Sequence, residues 1–235
     1  AVIPLIGAIL VGKFNEIPAY MSAGISKVAV NGVMFFFAVL FFGTMMTAGA
    51  FDPVVKFIVK CCKGNPLYIC IGTYVLSIIG HLDGSATTTV LLVCGVMVPI
   101  YKKMNMRLRN LACILAMGSG LMNMSPWGGP TLRAATVMDI ELNTFFKPML
   151  VPILITLAIG LIPVIFLGLA ENKRLKAAGF EYHKVEISSG EEEMSEDERA
   201  LRRPKMTIPN LIVIVAVIAL MISGILTPGA AFLLG

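Results

Sequence analysis

Two short polar stretches interrupt an otherwise apolar sequence, and both contain side chains that could bind an ion. The first, HLDGSATTT, begins at His81, and the second, NMSPWGGPTLR, begins at Asn123. Asp83, in the first stretch, is the one acidic residue inside a membrane-length apolar region of the sequence. A carboxylate in such a place is costly and marks a functional site by default. Its position at the C-terminal end of a predicted helix, near the negative pole of the dipole, favours binding of a cation or a proton.

The residues after Asp83 suit an anion, although each also has a structural interpretation. A helix predicted to start here offers unpaired N–H groups and hydroxyls to a carboxylate or another oxyanion. Asp83 could instead cap that helix, and a threonine in a membrane helix often bonds a carbonyl of the preceding turn. Among the hydroxyls, Ser85 and Thr87 are the stronger candidates and Thr89 is the weakest.

The second stretch combines oxygen ligands with close backbone approach. Asn123 and Ser125 supply side-chain oxygens, and freed carbonyls beside them could coordinate a cation. Gly128 and Gly129 allow the backbone to approach a ligand closely. The stretch therefore predicts the second face of a binding site.

Three further side chains of these stretches have open interpretations. Arg133, just after a predicted helix restart at Thr131, could bind a carboxylate through two parallel hydrogen bonds, neutralise Asp83, or extend to the outer membrane interface. Trp127 could line the site or serve ordinary packing. His81 could relay protons near neutral pH, but a hydrogen-bonded structural role is the preferred interpretation.

The composition places these residues in a membrane. Of the 235 residues 57% are apolar and 14% are charged, with a mean hydropathy of +0.86, against about 45–50% and about 25% in soluble domains. These values exclude a disordered chain, a disulfide-built secreted module and a nucleic-acid-binding domain, whose basic residues would cluster on one face. The five cysteines lie mostly in apolar surroundings and are interpreted as packing residues. The sequence also lacks a Walker A motif.

A helix that crosses a bilayer needs about 20 apolar residues. Val28–Gly49, Pro148–Ala170 and Thr207–Ile225 meet this requirement. Phe51–Asn65 is amphipathic, contains three lysines and is too short to span, so it is predicted to lie in the interface. Lys13–Lys27 has a similar but less regular pattern.

The polar tip at His81 lies within Pro66–Ile100, a region with basic residues on both sides. Because basic flanks favour the cytoplasm, both ends of this region are predicted to be cytoplasmic. Its arms, Pro66–Gly80 and Thr87–Ile100, have 15 and 14 residues and would each be only about 21–22 Å long. A re-entrant helical hairpin over residues 66–101 is therefore favoured over two full crossings.

The segment Asn110–Met138 is long enough to cross but contains two prolines and two glycines within residues 126–130, which cannot continue a regular helix. Irregular backbone at membrane depth is tolerated only where it is buried in protein or lines a cavity. A broken helix and a hairpin tip, 40 residues apart, are the arrangement expected of a secondary transporter's binding site.

The charges complete a predicted topology. Residues 171–206 hold 17 of the 33 charged side chains and are basic at both ends, which predicts a cytoplasmic linker. The sequence begins and ends within apolar runs, so we expect a fragment of a longer chain. Seven parts are predicted: residues 1–50 (a truncated first helix, an interfacial segment and a first full transmembrane helix), 51–65 (interfacial helix), 66–101 (hairpin), 107–138 (discontinuous helix), 145–170 (transmembrane helix), 171–206 (linker) and 207–235 (a transmembrane helix and the truncated start of a second repeat).

At its two polar stretches the sequence resembles the citrate–divalent-metal/proton symporters, the CitMHS family of the ion transporter superfamily. The matching segments are FFGTMMTAGAFDPVV, HLDGSATTT followed by MVPIYKK, MNMSPWGGPTLRAAT, and the RRPK at the end of the linker. The resemblance runs over essentially the whole chain. It implies an all-α polytopic membrane protein, the first half of an inverted-repeat, elevator-type transporter that forms a homodimer at full length.

The resemblance also implies a substrate and a set of site residues. Family members take up citrate complexed with a divalent cation, Mg²⁺ or Ca²⁺, together with protons, across the bacterial inner membrane and without a permanently bound cofactor. Asp83 would contact the metal of the complex or the proton. Carried over by position, the tip comprises Asp83, Gly84, Ser85, Thr87 and Thr88, and the broken-helix face comprises Asn123, Ser125, Gly128, Gly129, Thr131 and Arg133.

The residues by themselves indicate a secondary transporter with an anion-friendly site that contains one carboxylate. A sodium-coupled di- or tricarboxylate carrier and a sodium/proton antiporter of the same superfamily are the alternatives. A membrane anchor or receptor-like module has no use for broken helices. An intramembrane enzyme is the weakest alternative, since only His81 could act as a second acid–base group beside Asp83.

Overall fold

In the computed structural model the chain is helical throughout its regular structure, over described residues 2–62, 64–179, 200–223, 225–226 and 228–235. Single 3₁₀ turns precede the second, ninth and tenth helices. The helices are α1 (Val2–Leu10), α2 (Ile17–Thr47), α3 (Asp52–Cys62), α4 (Pro66–Gly80), α5 (Ala86–Lys103), α6 (Leu108–Met122), α7 (Gly129–Met138), α8 (Leu142–Phe146), α9 (Leu150–Ala177), α10 (Thr207–Ser223) and α11 (Pro228–Leu234).

Four helical segments of the described chain are long and apolar enough to cross a membrane. They are Phe14–Thr47, Ala86–Lys103, Thr144–Ala177 and Pro204–Met221. The apolar helices α4 and α6 are shorter, at 15 residues each, or about 22 Å. This pattern is that of a polytopic membrane protein.

The first long helix differs from its prediction. The sequence predicted an interfacial segment over Lys13–Lys27 and a separate span over Val28–Gly49, but α2 is one helix of 31 residues. Pro18 lies in its first turn, where proline is compatible with a helix, and no further proline or left-handed residue follows before Gly49 (φ +79°). Residues 17–27 are therefore continuous with the predicted span in one helix.

The polar tip joins two antiparallel helices, α4 and α5. Asn65 starts α4 by accepting a hydrogen bond from the Leu67 N–H at 3.0 Å, and Ser85 caps α5 by accepting one from the Thr88 N–H at 3.3 Å. The second arm has 18 residues instead of the predicted 14, because α5 begins one residue earlier, at Ala86, and continues to Lys103. The arms thus measure about 22 and 27 Å.

One hydrophobic core forms around α4, which packs against both α6 and α9. Gly118 of α6 lies so close to α4 that an added Cβ would be 2.7 Å from the Ser77 Cβ. On α9, a Cβ at Gly168 would be 2.9 Å from the Leu67 Cα, and the Tyr74 hydroxyl donates to the Leu157 carbonyl at 3.0 Å. These close approaches keep α4, α6 and α9 together.

A second core joins α2 to the two C-terminal helices and to the residues that follow the break. The rings of Phe42, Trp127 and Phe232 lie with centroids 5.3–5.6 Å apart, and Leu132 of α7 is buried with them. The break is thus flanked by both cores.

The predicted linker is partly helical in the structure. Residues 171–177 continue α9, and Glu171, which the sequence placed in the cytoplasmic linker, is only 1% exposed. Its carboxylate accepts hydrogen bonds from the Arg107 N–H (2.9 Å), the Asn110 side chain (3.1 Å) and Arg174 (2.6 Å). It thereby satisfies donors at the start of α6, which explains its burial. The acidic run EEEMSEDE lies outside the described residues.

Two ion pairs mark the ends of α2. Near its start Lys27 pairs with Asp139, which follows α7, at 3.2 Å. Just beyond its end Asp52 pairs with Arg202, and the Arg203 N–H donates to the Ala48 carbonyl at 3.1 Å. The structure thus separates the loop after α7 from the residues preceding α10 along α2.

Candidate binding site at the hairpin tip

The hairpin tip and the break in the helix meet in the structure. Nε2 of His81 lies 3.2 Å from Oδ1 of Asn123, and the Trp127 indole N–H donates to the Leu82 carbonyl at 2.6 Å. Because α4 and α6 start at the same end of the first core and have the same length, their C-terminal ends reach the same depth. The two polar stretches therefore form one site.

Asp83 is buried in the tip, with 2% of its surface exposed. Its Oδ1 accepts a hydrogen bond from the Ser85 N–H at 2.8 Å, in a turn that Gly84 makes possible with a φ of +71°. Within the described chain, none of the ion pairs includes this carboxylate. A buried negative charge without a basic partner is unfavourable, so this position suits a cation or a proton.

The hydroxyls at the start of α5 are arranged differently from the predicted order. Ser85 Oγ accepts hydrogen bonds from both the N–H and the hydroxyl of Thr88, whereas Thr87 is exposed and makes none of the contacts that join tip and break. Thr89, ranked weakest as an anion ligand, is fully buried. It is the hydroxyl that contacts His81, and Thr87 is the exposed one.

Both nitrogens of His81 are engaged at the junction. The Thr89 hydroxyl donates to the Ser85 carbonyl at 2.7 Å, so His81 Nδ1, at 2.8 Å, donates to the hydroxyl oxygen. Nε2 faces Asn123 of the broken helix. The structure thus shows the hydrogen-bonded role that was preferred for His81, and this role links the two halves of the site.

The break itself is a compact turn between α6 and α7. The Gly128 N–H donates to the Ser125 carbonyl at 2.9 Å, and the Asn123 carbonyl oxygen occupies the space where a Cβ of residue 128 would lie. Only glycine fits there. Thr131 Oγ1 also donates to the Asn123 carbonyl, at 3.5 Å.

The Ser125 hydroxyl is buried at the break. Among the described residues its hydroxyl is the one buried side-chain polar atom without a hydrogen-bond partner. Leaving such a group unsatisfied costs roughly 1–3 kcal/mol, and an exception of this kind calls for an explanation such as a bound ion or ligand.

Arg133 does not enter the site in this structure. Its side chain is exposed, and Nε donates to the Gly129 carbonyl one turn back at 3.1 Å. Of the three alternatives for Arg133, the ion pair with Asp83 is not formed. The guanidinium lies over the first turn of α7, beside Gly129 and outside the tip.

Trp127 and Thr89 are the site residues whose importance sequence reasoning underestimated. Trp127, which is 4% exposed, both packs in the second core and bonds the tip. Its sequence signal was its position between Pro126 and two glycines, which could not show what the ring would contact. No three His, Cys, Asp or Glu side chains in the described chain lie close enough to hold a metal ion.

Comparison with known proteins supplies the remaining evidence. A family model described as "Citrate transporter" matches residues 1–235. A citrate transporter of Bacillus subtilis (strain 168) is 37% identical over 227 residues, covering 96% of this chain and 51% of the relative. A Mg(2+)/citrate complex secondary transporter of the same organism is 35% identical over 223 residues, covering 94% of this chain and 50% of that protein.

A third relative from Bacillus subtilis (strain 168), the uncharacterized transporter YraO, is 30% identical over 235 residues, or 99% of this chain and 54% of the relative. The chain thus spans about half the length of the curated relatives it matches. No solved structure matches it significantly.

Proposed function

The chain belongs to the citrate transporter family, and on this premise we propose that it forms half of a secondary transporter for citrate complexed with Mg²⁺ or Ca²⁺, coupled to protons. The family and the named relatives are transporters, so the prediction of a protein that is not an enzyme is confirmed. With four apolar helices of spanning length, it is a multi-pass membrane protein. Metal dependence and proton coupling are our proposals, supported by the site.

The observation that carries the proposal is the pairing of an uncompensated carboxylate with anion-binding groups in one site. Asp83 attracts positive charge, whereas the start of the 18-residue helix α5 offers N–H groups and a positive dipole end. A free tricarboxylate would be repelled by Asp83. A citrate–metal complex offers both signs of charge, and the chelated cation lowers the cost of desolvating citrate.

We assign roles to the site residues on this basis. Asp83 contacts the metal of the complex or carries the proton. Asn123 and Ser125 supply oxygens toward the cation, and the unsatisfied Ser125 hydroxyl supports this assignment. The carboxylates of citrate are bound around the two helix starts, by Gly84, Ser85, Thr87 and Thr88 at α5 and by Gly128, Gly129, Thr131 and Arg133 at α7.

Arg133 requires a rearrangement to take part. Its guanidinium is exposed and held by the Gly129 carbonyl, a contact that a citrate carboxylate could replace with a stronger, bidentate one. Because Gly129 begins α7, a carboxylate bound there would meet both the guanidinium and the helix N-terminus. Thr87 needs no such movement if its backbone N–H, instead of its hydroxyl, faces the substrate.

We also propose the architecture of the full-length protein. The short α4, at about 22 Å, does not reach across a hydrocarbon core of about 30 Å, which supports a re-entrant hairpin although α5 has spanning length. The double length of the relatives supports two inverted repeats, of which this chain is the first. An elevator-type motion, a homodimer and a cytoplasmic linker complete the proposal.

Uptake of radiolabelled citrate by the full-length protein in proteoliposomes tests the function. We expect uptake to require Mg²⁺ or Ca²⁺ and to be driven by an inward proton gradient. Uptake should stop when the metal is removed by a chelator that binds it more tightly than citrate does. Uptake that requires sodium and is indifferent to divalent cations would overturn the proposal in favour of a sodium-coupled carboxylate carrier. Sodium/proton exchange without citrate uptake would favour an antiporter.

A further inference from the structure

Helices α4 and α6 both start beside the same part of α9. The start of α4 lies close to Gly168, where an added Cβ would be 2.9 Å from the Leu67 Cα. The start of α6 is held by Glu171, whose carboxylate accepts a hydrogen bond from the Arg107 N–H at 2.9 Å, one residue before the helix begins. Gly168 and Glu171 are three residues apart on α9, or about 4.5 Å. The common starting level of α4 and α6 is therefore set by α9.

The carboxylate of Glu171 fastens both α6 and the turn before it. Besides the Arg107 N–H, it accepts hydrogen bonds from the Asn110 side chain at 3.1 Å and from Nη2 of Arg174 at 2.6 Å. The same Nη2 donates to the carbonyl of Asn105 at 2.5 Å, a residue with a φ of +52° in the turn between α5 and α6. A negative charge at the N-terminus of a helix is also favoured by the helix dipole. Glu171 and Arg174 together thus fix the start of α6 to α9.

The level at which α6 starts decides where its other end lies. The helix has 15 residues and ends at Met122, about 22 Å from its start. The next residue, Asn123, meets the hairpin tip with its Oδ1 at 3.2 Å from Nε2 of His81. Because a helix of this length shifts as a unit, a displacement of only about 1 Å at its start would bring this contact outside the hydrogen-bond range.

We propose that Glu171 is a positioning residue of the binding site, which acts through α6 from about 22 Å away. It contacts neither the tip nor the break, but it sets the level of the break against the tip. Asn123 and Ser125 then face the cation of the substrate at the depth of Asp83. The inference rests on the proposed function, because a citrate–metal complex would be bound from both sides of this junction.

Two native cysteines allow the position of α6 to be measured independently of transport. Cys61 on α3 and Cys113 on α6 are both exposed. Because α3 packs against α4, the distance between these two residues reports the position of α6 relative to the hairpin. In the full-length protein every other accessible cysteine is replaced by serine, the two cysteines are spin-labelled, and their distance is measured by double electron–electron resonance. KM for citrate uptake and the thermal unfolding midpoint are measured on the same variants.

Glu171→Asp keeps the charge but withdraws the carboxylate by about 1.5 Å, the length of one carbon–carbon bond. We expect the distance between the labels to change by up to about 1.5 Å, and KM to rise about tenfold, as for the loss of one ligand hydrogen bond. Glu171→Gln keeps the length but turns an amide N–H₂ group toward the donors of Asn110 and Arg174, so KM should rise at least as much. The matched control Lys173→Gln removes an exposed charge from the same turn of α9 and should change neither the distance nor KM.

An unchanged distance between the labels in Glu171→Asp would overturn the proposal, whatever the protein transports. A normal KM together with a lowered unfolding midpoint would also overturn it, since Glu171 would then only stabilise the fold. If Glu171→Gln does not fold, Glu171→Asp, which retains the charge that pairs with Arg174, decides between these outcomes. A changed distance in a protein that takes up no citrate, even with the unmodified sequence, would support the positioning role and contradict the proposed function instead.

Discussion

Trp127 donates its indole N–H to the Leu82 carbonyl at 2.6 Å, and this bond fastens the broken helix to the hairpin tip. The same indole packs against Phe42 of α2 and Phe232 of α11. The tip, which belongs to the first core, is therefore positioned by the second core as well. A site built in this way responds to changes in helices that do not contribute ligands.

Replacing Trp127 with Phe tests the hydrogen bond separately from the packing. The variant keeps an aromatic ring but loses a bond worth about 0.5–1.5 kcal/mol, so we expect KM for citrate uptake to rise by up to about tenfold. The control is Phe42→Leu, which disturbs the ring contact and keeps the N–H. A normal KM in the first variant with a raised KM in the second would show that the ring, not the bond, positions the tip.

Asp83→Asn should abolish coupled citrate uptake while membrane insertion stays intact, because the amide keeps the shape but not the charge that attracts a cation or proton. Uptake and the amount of folded protein in the membrane are measured together. Asp139→Asn is the matched control, since that exposed acid only pairs with Lys27 and surface pairs contribute about 0–1 kcal/mol. Undiminished uptake by the Asp83 variant would contradict the assigned role.

Ser125→Ala separates a ligand-binding hydroxyl from a structural one. Because Ser125 Oγ has no hydrogen-bond partner among the described residues, its removal should leave the thermal unfolding midpoint unchanged or raised, yet weaken citrate binding. The comparison variant is Ser119→Ala, whose hydroxyl donates to the Leu115 carbonyl at 2.8 Å. A lowered midpoint together with normal binding in Ser125→Ala would indicate a structural hydroxyl.

Gly118→Ala should destabilise the protein, because the new Cβ would lie 2.7 Å from the Ser77 Cβ and 3.2 Å from the Tyr74 carbonyl oxygen. Forcing α4 and α6 apart costs about 1–3 kcal/mol, and it would also move the break away from the tip. Gly120→Ala on the same helix meets nothing within 4 Å and should be neutral or stabilising. Thermal unfolding in detergent compares the two, and equal midpoints would contradict the close packing.

Cys61 and Cys62 should differ sharply in reactivity although they are adjacent. Burial raises the pKa of the Cys62 thiol to about 12, so at pH 8 only about one molecule in ten thousand carries the reactive thiolate. Maleimide should therefore modify the exposed Cys61 and spare Cys62, whose reactivity should rise only as the pH approaches 12. Mass spectrometry of the labelled peptide distinguishes them, and equal labelling at pH 8 would contradict the burial of α3 against α4.

Some features of the fold could be read from local chemistry. The polar tip and the break follow from short motifs, since Gly84 takes a left-handed conformation and two prolines and two glycines fall within residues 126–130. Helix ends were not given by the motifs: α2 starts 11 residues before its predicted span, and α5 continues three residues past its predicted end at Ile100. Hydropathy identifies the apolar segments, but it does not show where contacts with neighbouring helices extend a helix beyond them.

Side-chain partners could not be read in the same way. Thr87 and Thr89 are identical in type, and only the phase of α5 against α4 turns Thr89 inward to His81. The sequence placed Glu171 in the linker, whereas its carboxylate is buried because α6 starts beside it. Arg133 could have reached Asp83 by length alone, but in the structure its guanidinium lies over its own helix.

The sequence by itself determined that this is a membrane protein with two helix interruptions of unusual chemistry, because apolar content and proline–glycine spacing act locally. Only the tertiary structure decided that the two interruptions form one site, because that depends on α4 and α6 having equal length and a common starting level. It also decided that Ser125 is left without a partner while Ser85 is not, which is a consequence of packing that no motif encodes.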